Sequence, residues 1–452
     1  MWHGASIVAL RGPLSQPRYC PAAKGSIEWG VVQTAPSGVE SGRIQSVSLR
    51  RNFAWTFTGN FLFGASQWAV LSLLAKLGTS EMLGEYALAV AVITPLVMLS
   101  HLNLRAVLAT DMTERHAFGD YLAVRLAVTA AVLAAMAVIA LLSGYSPTVT
   151  ASMVLVGVSL SVDTISDIYY GALQRSERMG AIARSMIARG VLSLAAFGAV
   201  LSLTRRLVPA VAALAMARAA VLLAYDRPRG SAGQRLSRSG IRPQFEIFRT
   251  ALPLGFVLML VSLTSNIPRY AVERHLGTRE LGAFAAVAAF LAAGSTVVNA
   301  LGQSATPKLA RYFSEGDMER FRGLALRLAG LAVLLGAAGV LSSALVGGFV
   351  LRVLYRPDYA AYGGLLVEVM AAGICVYVAV VLGYVITSVR SFLVQMPLLT
   401  AVAATSAIAS WLLVPAMGLN GAAFAVAIAA SVQIGGESLI LRRALRRRKR
   451  TP

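Results

Sequence analysis

From Leu126 to Val162 the chain carries no charged residue, and its apolar character is interrupted only at Gly144-Tyr145-Ser146-Pro147. Such a run fits two membrane-crossing helices joined by a tight turn. About 20 apolar residues span the hydrocarbon, and a Gly and Pro cluster breaks a helix. Ser391 to Gly436 repeats the arrangement, turned at Pro415-Ala416-Met417-Gly418. Overall 57% of residues are apolar and 13% charged, and the mean hydropathy is +0.68, far too apolar for a soluble surface. In hydrocarbon every backbone N–H and C=O must find a partner within the chain, which long runs achieve as helices rather than barrel strands. The fold class is therefore an all-α polytopic membrane protein. Twelve transmembrane helices are expected near 54–76, 82–104, 121–143, 149–172, 181–203, 207–224, 248–269, 281–304, 323–345, 364–388, 397–415 and 420–441.

LGTSEMLGEYALAVAV, from Leu77 to Val92, returns as LGTRELGAFAAVAAF, from Leu276 to Phe290. Gly84 then corresponds to Gly282. The third helix, AVRLAVTAAVLAAMAV from Ala123, matches the ninth, ALRLAGLAVLLGAAGV from Ala325, with Arg125 opposite Arg327. At the sixth and twelfth, VAALAMARA from Val211 matches GAAFAVAIA from Gly421, with Arg218 opposite Ile428. The halves correspond helix for helix, and an even number of spans in each gives both the same orientation, a parallel repeat. The expected organisation is a disordered arm at 1–48, a six-helix bundle at 49–224, a basic cytoplasmic linker at 225–247, a second six-helix bundle at 248–441 and a basic tail at 442–452.

The formal net charge is +21. Most Lys and Arg residues lie in the N-terminal arm, the segments around Arg115, Arg178 and Lys308, the linker and the tail LRRALRRRKR, all on one side of the predicted topology. The positive-inside rule makes that side cytoplasmic, so both termini are expected inside. Dispersed basic loops need no partner beyond the anionic headgroups of the lipid bilayer, and no nucleic-acid partner is implied. Cys20 and Cys375 lie too far apart in the chain to suggest a disulfide framework or metal site, and His3, His101, His116 and His275 show no ligand or triad spacing. The predicted outer loops are short and offer no catalytic constellation, so no enzymatic activity or cofactor is expected, and without a Gly-x4-Gly-Lys-Ser/Thr phosphate loop the chain shows no means of hydrolysing nucleotide.

LNLRAVLATD (Leu102–Asp111), SVDTISDIYYGALQRSERMGAIARSMIARG (Ser161–Gly190) and GLNGAAFAVAIA (Gly418–Ala429) resemble the oligosaccharide flippase family, the O-antigen and exopolysaccharide lipid-carrier flippases. That family belongs to the multidrug/oligosaccharidyl-lipid/polysaccharide exporter superfamily and has the multidrug and toxin extrusion fold. The resemblance runs from about Leu49 to Arg443. It implies alternating access that moves undecaprenyl-diphosphate-linked oligosaccharide from the cytoplasmic to the outer leaflet of a bacterial inner membrane. A glycan polymerase and a chain-length regulator are the candidate protein partners. Two other readings stand beside it: a drug or organic cation antiporter of the same fold, and a non-transporting scaffold subunit of a glycan-assembly complex.

A diphosphate headgroup cannot cross hydrocarbon unaided, and arginine suits it because its planar fork pairs phosphate oxygens and keeps its proton. The candidates are Arg105, Arg125, Arg184, Arg189, Arg218, Arg269 and Arg327. Arg105, Arg125, Arg184 and Arg327 lie near cytoplasmic helix ends, where snorkelling to headgroups is the competing reading. Asp163 and Asp167 are four apart on the fourth helix and share a face with Tyr170. They fit either a coupling site for a proton or cation, or an ion pair with arginine that braces the bundle. Glu368 and Glu437 are expected at the membrane interface.

Overall fold

A computed structural model describes residues 49–111, 115–389 and 392–448. The arm at 1–48, expected to be disordered, and the tail residues 449–452 lie outside the described residues. The first half comprises α1 (Leu49–Leu77), α2 (Ser80–His101), the short α3 (Leu104–Thr110), α4 (Phe118–Leu142), α5 (Pro147–Arg175), α6 (Met179–Thr204) and α7 (Leu207–Val221). The second comprises α9 (Ile241–Leu276), α10 (Thr278–Glu315), α11 (Met318–Leu354), α12 (Gly363–Ser388), α13 (Phe392–Met417) and α14 (Leu419–Arg448). Among the described residues 11 helices are long and apolar enough to cross a membrane. Adding α1, whose apolar run is diluted by Asn60, Ser66 and Gln67, brings the long helices to the twelve expected.

Local chemistry sets the helix ends. Thr79 caps α2 by accepting from the Met82 N–H at 3.2 Å, and Ser146 caps α5 just before Pro147, which has no N–H to lose at that position. Gly277, at a φ of 89°, makes the whole turn between α9 and α10. The largest departure from expectation lies after α7. Instead of ending at 224, the helix widens into a π-helical turn, Leu222–Asp226, and continues as α8, Arg227–Ser231. The polar composition of this segment reads as a loop, but Asp226 is fully buried and Gly230 packs on the Tyr169 ring, so tertiary contacts hold it helical.

The end of the bundle that holds Leu49 and Arg448 is the near end; the turns at Gly78 and Gly277 lie at the far end. There the halves are sealed. Gly84 and Gly282, equivalent positions in the repeat, let α2 and α10 cross backbone to backbone, since a Cβ on either would collide with the carbonyl oxygen of Thr278 or Ser80. The segment after α11 closes over this crossing. Arg356 donates to the Gly78 carbonyl at 3.2 Å and to Ser80 Oγ at 3.3 Å, Trp68 Nε1 donates to Tyr355 Oη at 3.2 Å, and Tyr355 donates to the Ala286 carbonyl at 3.0 Å.

Toward the near end α2 and α9 stay packed, with Gly255 against Leu99 and Leu102, and Ala251 in a cluster with Leu102, Leu104 and Phe118. On the other side of the seam α1 and α10 meet at Trp68 and Phe290. Below that level Phe61 is 60% and Val297 50% exposed, whereas Leu74 and Leu281 beyond it are fully buried. Glycine is required at the crossing, whereas Gly64 on α1 has open space around it. Gly84→Val should therefore lower the thermal unfolding midpoint of the purified protein, while Gly64→Val, whose added Cβ meets nothing within 4 Å, should leave it unchanged.

Candidate functional site

Buried charge gathers around α5. Each oxygen of Asp163 takes one arginine: Arg189 Nη1 donates to Oδ1 at 2.9 Å and Arg218 Nη1 to Oδ2 at 2.6 Å. Arg189 also donates through Nη2 to Asp226 Oδ2 at 2.8 Å and to Tyr170 Oη at 2.6 Å. Ser185 donates to Asp226 Oδ1 and lies 2.6 Å from Tyr170 Oη, so the tyrosine donates to the serine. The π-helical turn aims Asp226 inward, a frequent use of such turns. Two guanidiniums and two carboxylates thus balance to zero formal charge, which is how ionised groups persist where water is excluded.

One helical turn away, Asp167 is the centre of a second group. Arg105 Nη1 lies 3.3 Å from Oδ1, while Arg125 Nη2 and His101 Nδ1 each lie 3.8 Å from Oδ2. Arg125 is fully buried and donates to the Ser100 carbonyl at 2.8 Å, so it does not snorkel. Arg105 is partly exposed and holds Gln174 Oε1 at 3.0 Å. The two carboxylates therefore have separate arginines, the arrangement of ion pairs rather than of two carboxyls sharing a proton.

Between the halves lies a cavity of about 590 Å³ lined by Gln67, Trp68, Tyr86, Ser159, Arg218, Arg269 and Thr296 among others. One arginine comes from each half: Arg218 from α7 and Arg269 from α9. Arg218 Nη2 donates to Gln67 Oε1 at 2.6 Å, and Arg269 Nη1 to Asn266 Oδ1 at 2.5 Å. The Nε of both arginines and the Nε2 of Gln67 find no acceptor in the protein. Two guanidiniums and no carboxylate among the lining residues favour an anion there. No carboxylate lies within ion-pair distance of Arg269 among the described residues. A second cavity of about 340 Å³, inside the second half, shares Arg269 and adds Ser265, Asn299 and Gln433.

Of the sequence candidates, Arg105, Arg125, Arg189 and Arg218 converge on α5, and Arg269 lines the same cavity as Arg218. Arg184 and Arg327 stand apart, both exposed, Arg184 against the Trp55 ring. Glu437, expected at the interface, is buried and accepts from Gln433 at 2.9 Å. Asp226 and Gln67 were missed by sequence reasoning. The only signal for Asp226 was an acid next to a helix end in a half rich in arginine; an isolated glutamine carried none. Among the described residues no group of His, Cys, Asp and Glu could hold a metal ion. Arg189→Ala, which strands Asp226 in the interior, should cost about 3–5 kcal/mol of stability. Arg327→Ala should change it by less than about 0.5 kcal/mol; chemical unfolding in detergent compares them.

The model of the family described as "Polysaccharide biosynthesis protein" matches residues 49–313. The capsular polysaccharide biosynthesis protein CapF of Staphylococcus aureus is 24% identical over 387 residues, covering 85% of this chain and 97% of the relative. Among solved structures, the inward closed conformation of the lipid II flippase MurJ superposes with a TM-score of 0.71 at 10% identity, covering 86% of this chain and 87% of that one. An inward-facing multidrug resistance transporter of the MATE family, in the MOP superfamily, gives 0.70 at 12% identity, covering 88% of this chain and 100% of that one. The fold is thus that of these transporters, and the chain belongs to the polysaccharide biosynthesis protein family.

Proposed function

We propose that this chain flips undecaprenyl-diphosphate-linked oligosaccharide from the cytoplasmic to the outer leaflet of a bacterial inner membrane. The observation that carries this reading is the cavity between the halves with one arginine from each, Arg218 and Arg269. A diphosphate presents oxygens on two phosphorus centres, so it is suited to bridge two forks. An anion that bridges them binds both halves at once and so favours one closure of the seam over the other, which alternating access requires of its substrate.

Charge separates this reading from the cation antiporter. With Asp163 and Asp226 matched by Arg189 and Arg218, Arg269 leaves the cavity wall positive, which repels a cation. The scaffold reading assigns no task to such a cavity. Asp163 and Asp167 act as braces for arginine, and an ion gradient or the membrane potential drives the cycle. The near end, which carries Arg178, the linker arginines and the basic end of α14, is the cytoplasmic face. On this orientation the seam is shut toward the outside, and α1 parts from α10 toward the cytoplasm. A glycan polymerase and a chain-length regulator are the proposed protein partners.

Reporter fusions test the orientation: those after Arg178 and Lys308 should behave as cytoplasmic and those at Tyr145 and Gly418 as external, and two reversed loops overturn it. The function is tested in proteoliposomes with a lipid-linked oligosaccharide whose headgroup exposure is measured. Arg218→Ala and Arg269→Ala should each slow translocation at least about tenfold, the loss expected when one charge-assisted contact of about 1.5–3 kcal/mol is removed. Lysine at either position should restore part of the rate, since it keeps the charge and lacks the fork. Wild-type rates in both alanine variants remove these residues from the path.

A further inference from the structure

The Arg218 guanidinium is held unequally on its two sides. Nη1 is bound by Asp163, which is absent from the cavity lining, and Nη2 by Gln67, which is part of it. Nε has no acceptor in the protein. A neutral amide is a far weaker competitor for a guanidinium than an ionised carboxylate. An anion in the cavity can therefore compete for Arg218 Nη2 by displacing Gln67, while Asp163 keeps Nη1.

Asp163 is itself divided. Its other oxygen is bound to Arg189, and Arg189 is also held by Asp226 and Tyr170. The carboxylate thus neutralises Arg218 only in part.

We propose that Asp163 is the resident counterion of Arg218: it shares the guanidinium with the incoming diphosphate and keeps the bound anion weak enough to be released. The inference rests on the diphosphate reading above and deepens it by assigning a positioning residue that does not touch the substrate. A transporter that binds its cargo too tightly in one state slows its own cycle, because ground-state affinity adds to the barrier for release. A lone arginine in a dry cavity would bind a diphosphate in that way. A carboxylate behind it repels the phosphate oxygens across one guanidinium and lowers the affinity.

The two roles predict opposite signs. If Asp163 serves only to hold Arg218 in place, Asp163→Asn loosens the arginine and weakens anion binding. If it is the counterion, asparagine turns its one oxygen to Arg218 Nη1, its amide nitrogen displaces Arg189 Nη1 while Asp226 and Tyr170 still hold that arginine through Nη2, and loss of the repulsion tightens binding. The experiment measures binding of inorganic pyrophosphate to the full chain in detergent by calorimetry, with translocation measured in proteoliposomes.

Asp163→Asn should bind pyrophosphate at least about tenfold more tightly than wild type and translocate more slowly. Asp163→Glu should stay near wild type. A second arm avoids dependence on one variant's folding: Arg189→Gln with Asp226→Asn leaves Asp163 to Arg218 alone, and binding should weaken. Equal or weaker binding by Asp163→Asn overturns the proposal while leaving the diphosphate reading intact, provided Arg218→Ala abolishes wild-type binding. No wild-type binding that depends on Arg218 or Arg269 overturns both.

Discussion

The structure depends on the rule that an ionised group shielded from water must meet its opposite. In hydrocarbon an unmatched charge costs several kcal/mol, more than most single contacts return. Asp163, Asp226, Arg189 and Arg218 satisfy the rule together, and they tie α5, α6 and α7 into one unit around a polar centre. The helical path bends to meet this requirement. The π-helical turn at Leu222–Asp226 exists where Asp226 has to reach Arg189, and the helix continues through a basic stretch that would otherwise lie in water.

Duplication explains the frame and its seam but not its chemistry. Gly84 and Gly282 occupy equivalent positions and meet at the crossing of α2 and α10, so the repeated LGT segment becomes the point where the halves close on each other. The charges do not repeat. Arg218 corresponds to Ile428, which is exposed, and the fully buried Arg125 corresponds to the exposed Arg327. The second half instead buries Glu437 against Gln433 and pairs neutral groups, such as Asn299 with Tyr384 at 3.1 Å. One half therefore holds the braced arginine and the other brings the unbraced Arg269, an asymmetry that the proposed binding and release of an anion would use.

Much of the fold was legible because membrane crossing imposes one-dimensional rules. A span needs a run of apolar residues, and a turn needs a Gly or Pro cluster, as at Gly144 to Pro147 and at Pro415 to Gly418. The helix count, the six-to-six correspondence and the presence of buried arginines all follow from such patterns. Whether an arginine snorkels or stays inside depends on which neighbour faces it, and position along a helix does not say. Arg125 and Arg327 occupy equivalent places in the repeat, yet only Arg125 has a carboxylate of α5 near it.

By itself the sequence determined an all-α membrane protein of two parallel halves, with arginine the dominant charge within its spans. These properties depend on composition and spacing, which act locally along the chain. Tertiary structure alone decided which acids serve which arginines, that Asp226 belongs to the core, that Gln67 reaches Arg218, and that Arg218 and Arg269 line one cavity. The physical reason is that Coulomb attraction and hydrogen bonding act over a few ångströms in space and are indifferent to separation in sequence, so Gln67 and Arg218 become partners only when α1 and α7 are packed together.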